Sequence, residues 1–252
     1  MPVTLIEQKP TFIKKVEGDN KLVIAEMFAD TIQGEGVNAG VISTFIRLQG
    51  CTLQCTWCDT LDVWPTGNEY SFDEIFEMFE SINLIEKIRN GQHLILTGGS
   101  PLKQQQRLIA FLKAFETKYS FLPYTEIENE SVLMPDIALA YCIDCWNNSP
   151  KLANSGMKER ARYKPEVIKN LAQRLNSWFK FVVAQESDWE EIKKDYLDSG
   201  LIDREQIILM PEGQTQEELS KTREMVADIA IREGVRFSDR LHVTIWNKKT
   251  GV

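Results

Sequence analysis

Residues 51–58 read CTLQCTWC, and this stretch decides how the rest of the sequence is interpreted. Its three cysteines, Cys51, Cys55 and Cys58, belong to a chain of 252 residues with 5 cysteines in total. Three thiolates this close together indicate a metal or iron–sulfur site. A structural zinc ion is enclosed by four ligands, whereas a [4Fe–4S] cluster held by three thiolates leaves one iron open to a small molecule. The triplet therefore favours a catalytic cluster with an open position.

The spacing C-x3-C-x2-C, with Trp57 before the last cysteine, resembles that of the radical S-adenosylmethionine (SAM) enzymes. In that family SAM chelates the open iron and is cleaved to methionine and a 5′-deoxyadenosyl radical, which abstracts a hydrogen atom from the substrate. A second family motif is a glycine pair after a strand, and Gly98 and Gly99 follow a predicted strand at residues 93–96. Glycine lets the backbone approach a ligand closely. The family's common form is Gly-Gly-Glu-Pro, whose carboxylate binds the SAM amino group; here Ser100 replaces the glutamate, and that role is lost or passes to a hydroxyl.

A longer resemblance covers most of the chain. Residues 28–60 read FADTIQGEGVNAGVISTFIRLQGCTLQCTWCDT and closely resemble the 7-carboxy-7-deazaguanine synthase family. That family carries a Ser/Thr-Ile-Gln-Gly-Glu-Gly run, an Arg-Leu-x-Gly run before the first cysteine, and Trp-Cys-Asp-Thr at the last one. Further matches to the family lie at residues 149–151, 180–183, 210–213, 241–246 and 251–252.

The resemblance implies an enzyme that converts 6-carboxy-5,6,7,8-tetrahydropterin to 7-carboxy-7-deazaguanine with loss of ammonia, in 7-deazapurine biosynthesis of the queuosine type. It implies one [4Fe–4S] cluster per chain on the cysteine triplet, SAM as a regenerated cofactor, and Mg²⁺ with Thr60 as its protein ligand. Mg²⁺ generally combines few protein ligands with substrate oxygens and water. The residues implied for SAM are Trp57, Asp59, Gly98, Gly99, Ser100, Ser149, Pro150 and Lys151.

The residue types also suit a pterin. Its amino-pyrimidine edge presents donors, and Gln33 and Glu35 offer acceptors on a glycine-rich turn. A substrate carboxylate prefers a fork-shaped cation, which Arg47 supplies; an internal salt bridge is the alternative for this arginine. The resemblance adds a histidine and the terminal carboxylate. The full set implied for the substrate is Ile32, Gln33, Gly34, Glu35, Arg47, Thr97, Pro211, Glu212, His242 and Val252.

Short apolar segments alternate with amphipathic ones, which predicts an α/β fold with a parallel sheet. With the resemblance, this indicates a partial radical SAM (β/α) barrel with an abbreviated core. We expect an irregular N-terminal leader over residues 1–20 and a single domain over 21–252. The predicted strands are 22–28, 41–48, 93–96, 124–127, 137–143, 179–183, 206–209 and 241–245, and the predicted helices are 71–90, 103–118, 165–178, 187–197 and 215–233.

The charge balance limits the partners. Lys plus Arg total 29 against 37 for Asp plus Glu, a net charge of −8, so we expect no direct contact with nucleic acid. Because no run of about 18 apolar residues and no signal-peptide pattern occur, we expect no membrane insertion and a cytoplasmic location. The resemblance implies a homodimer and a reducing protein of the flavodoxin or ferredoxin type.

Two other functions fit parts of the pattern. Glycyl-radical-enzyme activases share the cysteine spacing and the glycine pair, but they lack the Gln-Gly-Glu-Gly, Ser-Pro-Lys and Met-Pro-Glu runs. A non-enzymatic zinc domain would need a fourth ligand from Cys142, Cys145 or a histidine. Those two cysteines otherwise fit ordinary thiols near a strand end or a redox pair. A second departure from the family lies at residues 128–131, where Glu-Asn-Glu-Ser replaces Glu-Thr-Asn-Gly.

Overall fold

A computed structural model describes residues 2–7, 18, 20–249 and 251. Its central feature, within those residues, is one ten-stranded sheet. The strands are β1 (Val3–Ile6), β2 (Lys21–Ile32), β3 (Ile42–Leu48), β4 (Asn68–Ser71), β5 (His93–Gly98), β6 (Thr125–Asn129), β7 (Cys145–Asn148), β8 (Ser177–Val183), β9 (Ile207–Pro211) and β10 (Arg236–Phe237).

Parallel pairing dominates the sheet. The strand order is β1-β2-β3-β5-β6-β7-β8-β9-β10, with β4 also on β2. Strands β1, β3 and β4 run antiparallel to β2, and every pairing from β3 to β10 is parallel. Parallel neighbours require crossover connections, and helices supply most of them. The helices are α1 (Phe72–Ser81), α2 (Leu84–Arg89), α3 (Gln105–Tyr119), α4 (Ile137–Ala140), α5 (Glu159–Arg162), α6 (Pro165–Ala172), α7 (Ser187–Ile192, continued by a π-helix over Lys193–Leu197), α8 (Gln216–Glu233) and α9 (Leu241–Trp246).

Alternation along the strands gives the sheet two different faces. On β6, Ile127 belongs to the hydrophobic core that the helices cover, whereas Glu128 points to the other face and lines a cavity. Aromatic rings fill part of the core: the ring of Phe76 lies 5.4 Å from that of Phe111 and 5.9 Å from that of Phe115. The helix-covered face is called the outer face below, and the cavity-lining face is called the inner face.

The sheet curves until its two ends meet through loops. The Leu241 N–H donates to the Gly34 carbonyl at 2.8 Å, and the Gly36 N–H donates to Ser238 Oγ at 2.8 Å. Position 34 requires glycine, because a Cβ there would lie 2.2 Å from Nδ1 of His242. This arc of parallel strands with helices on its outer face confirms the predicted α/β partial barrel. No helix in the described part of the chain has both the length and the apolar character to cross a membrane.

Two strand predictions were wrong. Residues 137–143 contain α4, which begins where an Asp136 carboxylate oxygen accepts the Ala138 N–H at 2.7 Å, and the strand follows as β7. Residues 241–245 form α9 instead of a strand. Both segments are short apolar runs, and such runs have too few residues to distinguish a helical period from a strand period.

Two helix boundaries and the leader also differ from the predictions. The helix predicted over 71–90 divides at Asn83, whose left-handed φ of 56° interrupts it. The helix predicted over 165–178 ends at Ala172, and Ser177 already begins β8. Val3–Ile6 pairs with β2 as a strand, where we expected irregular chain; residues 1, 8–17 and 19 of the predicted leader lie outside the described residues.

Candidate active site

A cavity of about 360 Å³ opens on the inner face, around the carboxyl ends of the parallel strands. Ligands bind at this end of the strands in open parallel sheets and in (β/α) barrels. Most of the residues predicted from the sequence line it. They are Ile32, Gln33, Gly34, Glu35, Arg47, Cys51, Cys55, Trp57, Cys58, Asp59, Thr60, Thr97, Gly98, Gly99, Ser149, Lys151, Glu212 and His242.

The other predicted residues are not part of this lining. Ser100, Pro150 and Pro211 are buried behind it. Val252 lies outside the described residues, although Gly251 next to it lines the cavity. A direct ligand contact for the three buried residues is therefore not supported by their positions.

The cysteine loop after β3 is held closely against its neighbours. The Thr56 N–H donates to the Ser155 carbonyl at 3.0 Å. Gly99 packs so near the loop that a Cβ would lie 2.4 Å from the Cβ of Cys51. These contacts explain the glycine at position 99 and fix the cysteine triplet at one wall of the cavity.

The three thiols suit an iron–sulfur cluster better than one zinc ion. Burial raises the pKa of the Cys51 and Cys55 thiols, so bound cations are needed to stabilise their thiolates. A tetrahedral zinc ion with Zn–S bonds of about 2.3 Å would hold its sulfurs about 3.8 Å apart. In the described part of the chain, the three sulfurs do not form a group with all separations within 4.8 Å. A cluster of several irons bridges wider separations than a single ion.

The two remaining cysteines do not complete this site. Neither Cys142 nor Cys145 lines the cavity. The Cys142 thiol donates to the Ala138 carbonyl at 3.5 Å, and Cys145 is buried in the sheet, where burial raises the pKa of its thiol. The thiols are free in this structure, and their positions match the interpretation of both as ordinary thiols.

A buried ion-pair network forms another wall of the cavity. Lys180 Nζ donates to Glu35 Oε2 at 2.6 Å and to Glu128 Oε2 at 2.9 Å, and Gln33 Nε2 donates to Glu128 Oε1 at 3.1 Å. Burial alone would raise the pKa of Glu35, but the charges of Lys180 and Arg240 hold it well below its usual range. Burial raises the pKa of Glu128, against the opposing effect of Lys180. An ionised carboxylate thus lies beside one that is protonated more readily, a combination suited to acid–base chemistry.

Arg240 joins this wall to the cysteine loop. Its Nε donates to Glu35 Oε1 at 2.9 Å, its Nη1 donates to the Gly213 carbonyl at 2.5 Å, and its Nη2 pairs with Asp59. Burial would raise the pKa of Asp59, but the charge of Arg240 outweighs it and lowers that pKa. Because each of its three guanidinium nitrogens has an acceptor within the protein, we assign Arg240 the role of holding the site together.

His242 belongs to the same corner. Its Nε2 lies 3.8 Å from Glu35 Oε1, and burial lowers the pKa of the imidazole, which favours its neutral form. Glu35, Asp59 and His242 have ligand atoms within 4.8 Å of one another, a spacing compatible with a metal ion. Arg240 pairs with both carboxylates and Lys180 also pairs with Glu35, so the cluster already has cationic partners and we assign no metal there.

Arg47 forms the internal salt bridge that was one of its two predicted roles, and this salt bridge does not exclude the other role, binding of a substrate carboxylate. Its Nε donates to Glu26 Oε1 at 2.7 Å, which is the internal salt bridge considered for it. That pair uses Nε, and Arg47 also lines the cavity, so the terminal amino groups of the fork are still suited to a carboxylate. The stacked rings of Phe28 and Phe45, 5.0 Å apart, add an apolar surface beside it.

Sequence reasoning missed several charged residues of the cavity. Lys180 interrupts the apolar strand SWFKFVV, and a lysine on a buried strand needs an anionic partner, so the pattern did contain a signal. Arg240 lies in a polar segment with no such signal. The missed charged residues include Glu26, Glu128, Glu130, Lys180 and Arg240.

Comparisons with known proteins agree with this geometry. The family described as 4Fe-4S single cluster domain matches residues 32–134. The 7-carboxy-7-deazaguanine synthase of Pyrobaculum aerophilum is 33% identical over 90% of this chain and 96% of its own length, and that of Halobacterium salinarum is 32% identical over 90% and 91%. The crystal structure of QueE from Escherichia coli matches with a TM-score of 0.62 and 23% identity, over 88% of this chain and 95% of that one, and shows the same fold.

Proposed function

The chain belongs to the 7-carboxy-7-deazaguanine synthase family, and we propose that it converts 6-carboxy-5,6,7,8-tetrahydropterin to 7-carboxy-7-deazaguanine with release of ammonia. One observation carries the proposal: a single cavity is lined both by the cysteine triplet and by the acceptor turn with Gln33 and Glu35. The similarity to synthases covers 90% of the chain, which favours this function over that of a glycyl-radical-enzyme activase.

The cofactors are a [4Fe–4S] cluster and SAM, with Cys51, Cys55 and Cys58 as the cluster ligands. When bound, they supply a one-electron reduction and the abstraction of a hydrogen atom. We assign the wall next to the triplet to SAM. There, Lys151 Nζ donates to Ser149 Oγ at 2.6 Å and lies 5.5 Å from the ring of Trp57.

The ion-pair network suits the substrate. Glu35, whose pKa is held low, accepts hydrogen bonds from the amino-pyrimidine edge, with Gln33 beside it. The fork of Arg47 receives the carboxylate. A departing nitrogen needs a proton, and Glu128, whose pKa is raised, can hold one next to Lys180.

The finer assignments rest on the resemblance. We assign Mg²⁺ to Thr60, which lines the cavity with its Oγ1 3.7 Å from Cys58 Sγ, and we expect substrate oxygens to complete the coordination. Val252 is assigned to the substrate together with neutral His242. A homodimer, a flavodoxin- or ferredoxin-type reductant and a cytoplasmic location belong to the same proposal.

An anaerobic turnover assay tests the function. The reconstituted protein receives SAM, Mg²⁺, a reductant and 6-carboxytetrahydropterin, and product is identified by mass spectrometry. We expect product from the wild type and from the matched cysteine control Cys142→Ala, and none from Cys55→Ala. Cleavage of SAM without 7-carboxy-7-deazaguanine would contradict the substrate. Stoichiometric zinc without iron or sulfide would contradict the cofactors.

A further inference from the structure

Two charged residues face each other across the ladder of β2 and β3. Glu26 lies directly opposite Arg47 in the register of this strand pair, and both side chains line the cavity. Arg47 Nε donates to Glu26 Oε1 at 2.7 Å. The side chains of Arg47 and Glu26 are 16% and 11% exposed, so salt screens this pair much less than a surface pair.

Stability does not explain a charged pair at this position. Removing both charges from water costs about as much as their attraction returns, and apolar side chains of similar volume would fill the same space. The neighbouring inner-face pair of the ladder shows that alternative, because Phe28 lies opposite Phe45 there and the two rings stack with centroids 5.0 Å apart. The charged pair therefore indicates a role in binding.

The salt bridge occupies only one edge of the Arg47 guanidinium. This group carries one N–H on Nε and two on each terminal nitrogen. In the described part of the chain, Nη1 and Nη2 donate to no protein acceptor, and neither belongs to the buried side-chain atoms that lack a partner. Both terminal nitrogens are therefore accessible, and they offer two parallel donors to a carboxylate that approaches end-on.

A second carboxylate competes for this arginine. Burial raises the pKa of Asp59, whereas Arg240 and, more weakly, Arg47 lower it, so the guanidinium of Arg47 is close enough to act on that carboxylate. Asp59 pairs with Arg240 in this structure. Without Glu26, Arg47 would carry a poorly hydrated charge, and Asp59 would attract it. Glu26 thus holds the arginine on the β2 side of the cavity.

We propose that Glu26 is a positioning residue for the substrate: its salt bridge to Nε fixes the plane of the Arg47 guanidinium, so that Nη1 and Nη2 receive the substrate carboxylate. The inference rests on the proposed function, because it takes a carboxylated pterin as the substrate. It makes Glu26 the residue that sets how strongly the site prefers a pterin with a carboxyl group over the same ring without one.

Anaerobic titration calorimetry measures this preference without turnover. The cluster-loaded protein is saturated with SAM, no reductant is added, and the ligands are 6-carboxytetrahydropterin and tetrahydropterin, which lacks the carboxyl group. We expect Glu26→Ala to bind the carboxylated pterin about 10-fold more weakly, because the donors of Arg47 are no longer oriented. Its affinity for tetrahydropterin should stay within about 2-fold of that of the wild type.

Two conservative variants separate the position of Glu26 from its charge. Glu26→Gln keeps the length and an acceptor oxygen for Nε but loses the charge, and we expect it to bind the carboxylated pterin within about 3-fold of the wild type. Glu26→Asp keeps the charge but is one methylene shorter, and it should lose at least about 5-fold. The opposite order would overturn the proposal, because the charge and not its position would then matter.

Glu69→Ala is the matched control. Glu69 on β4 pairs with Lys21 on β2 at 3.1 Å, and it is not among the residues that line the cavity. The substitution removes a glutamate from another cross-strand salt bridge of β2 and should leave both affinities within about 2-fold of the wild type. Urea denaturation verifies that each variant is folded.

The wild-type result distinguishes this inference from the proposed function. A wild type that prefers the carboxylated pterin, with the same preference in Glu26→Ala and Glu26→Asp, would overturn the inference and leave the proposed function intact. Equal losses for both pterins in Glu26→Ala would also overturn it, because Glu26 would then only shape the cavity. A wild type that cleaves SAM under reducing conditions but binds neither pterin would overturn the proposed function and the inference with it.

Discussion

The outer and inner faces of the sheet use the same strands for opposite purposes. On β6, Ile127 is fully buried in the core, and the next inner-face side chain, Glu128, shares Lys180 with Glu35. Apolar burial stabilises the outer face in proportion to the area removed from water. Ion pairs on the inner face gain little net stability, because removing charges from water costs about as much as their attraction returns.

This difference indicates which residues are kept for ligand binding and not for stability. Apolar side chains of the same volume as the charged ones would stabilise the inner face at least as well as the ion pairs do. Under the proposed function, the charged groups remain because the pterin needs oriented hydrogen-bond partners, such as Glu35 held by Lys180. The comparison predicts that substitutions on the two faces separate stability from ligand binding.

The largest loss of stability should come from the outer face. Phe76 is 2% exposed and packs against the rings of Phe111 and Phe115. We expect Phe76→Ala to lower the free energy of unfolding by about 3–5 kcal/mol, measured by urea denaturation, because it leaves a cavity. SAM affinity of the folded variant should change less than 2-fold. A large drop in SAM affinity for the milder variant Phe76→Leu would show that the two faces are coupled.

Breaking the ion pairs of the inner face should lower the free energy of unfolding by less than Phe76→Ala does. The loss should disappear at acidic pH. Arg240→Met removes the partner of Glu35 and of Asp59, and we expect a loss of about 2–3 kcal/mol at pH 7, reduced because Asp59 is partly exposed. The pKa values of both acids lie below their ordinary 4.5 and 3.8 in the folded protein. Their contribution is therefore complete above those ordinary values and is lost as the pH falls through the lowered ones.

Urea denaturation across pH measures this dependence. The difference in unfolding free energy between wild type and Arg240→Met should be constant from about pH 7 to 5 and should shrink below about 4.5. A difference that persists undiminished at about pH 3 would assign the loss to packing of the arginine side chain and not to its charge.

A helix cap on the outer side should give a smaller loss that leaves the cavity unaffected. Thr215 Oγ1 accepts the Glu218 N–H at 3.1 Å, and Glu218 Oε2 accepts the Thr215 N–H at 3.1 Å, which caps α8. We expect Thr215→Ala to lower the unfolding free energy by about 1 kcal/mol. Thr215→Ser keeps the hydroxyl and is the control, and equal losses in both variants would exclude the cap as the cause.

The two faces also differ in how far the sequence predicts them. The outer face follows local periodicity, so most strands and the helix α8 were predicted. The failures at 137–143 and 241–245 are short apolar runs in which the period is ambiguous. On the inner face, contiguous motifs located the cysteine triplet and the acceptor turn, and the family resemblance supplied their roles.

The cavity residues that were not predicted are brought together by contacts between distant segments of the chain. Glu35 pairs with Lys180 from 145 residues away and with Arg240 from 205 residues away. No local pattern encodes such a pair, because the curvature of the sheet brings the residues together. The same is true of Ser100 and Glu130, which lie in two separate departures from the family pattern and both contact Thr52.

Gln33 should give the smallest change in stability with a large change in binding. It is 2% exposed, donates to Glu128 at 3.1 Å, and accepts the Glu35 N–H at 3.4 Å. Gln33→Leu keeps a side chain of similar volume, and Lys180 still pairs with Glu128, so we expect the unfolding free energy to change by no more than about 1 kcal/mol.

Affinity for the pterin should nevertheless fall about 10-fold or more in Gln33→Leu, because a buried recognition group loses its hydrogen bonds, while SAM affinity is retained as the internal control. This outcome is the reverse of that expected for Phe76→Ala. If Gln33→Leu instead lost more than about 2 kcal/mol of stability and kept its pterin affinity, Gln33 would belong to the structural side of the comparison. Gln33 would then serve mainly to hydrogen-bond Glu128, and Glu35 alone would accept hydrogen bonds from the pterin.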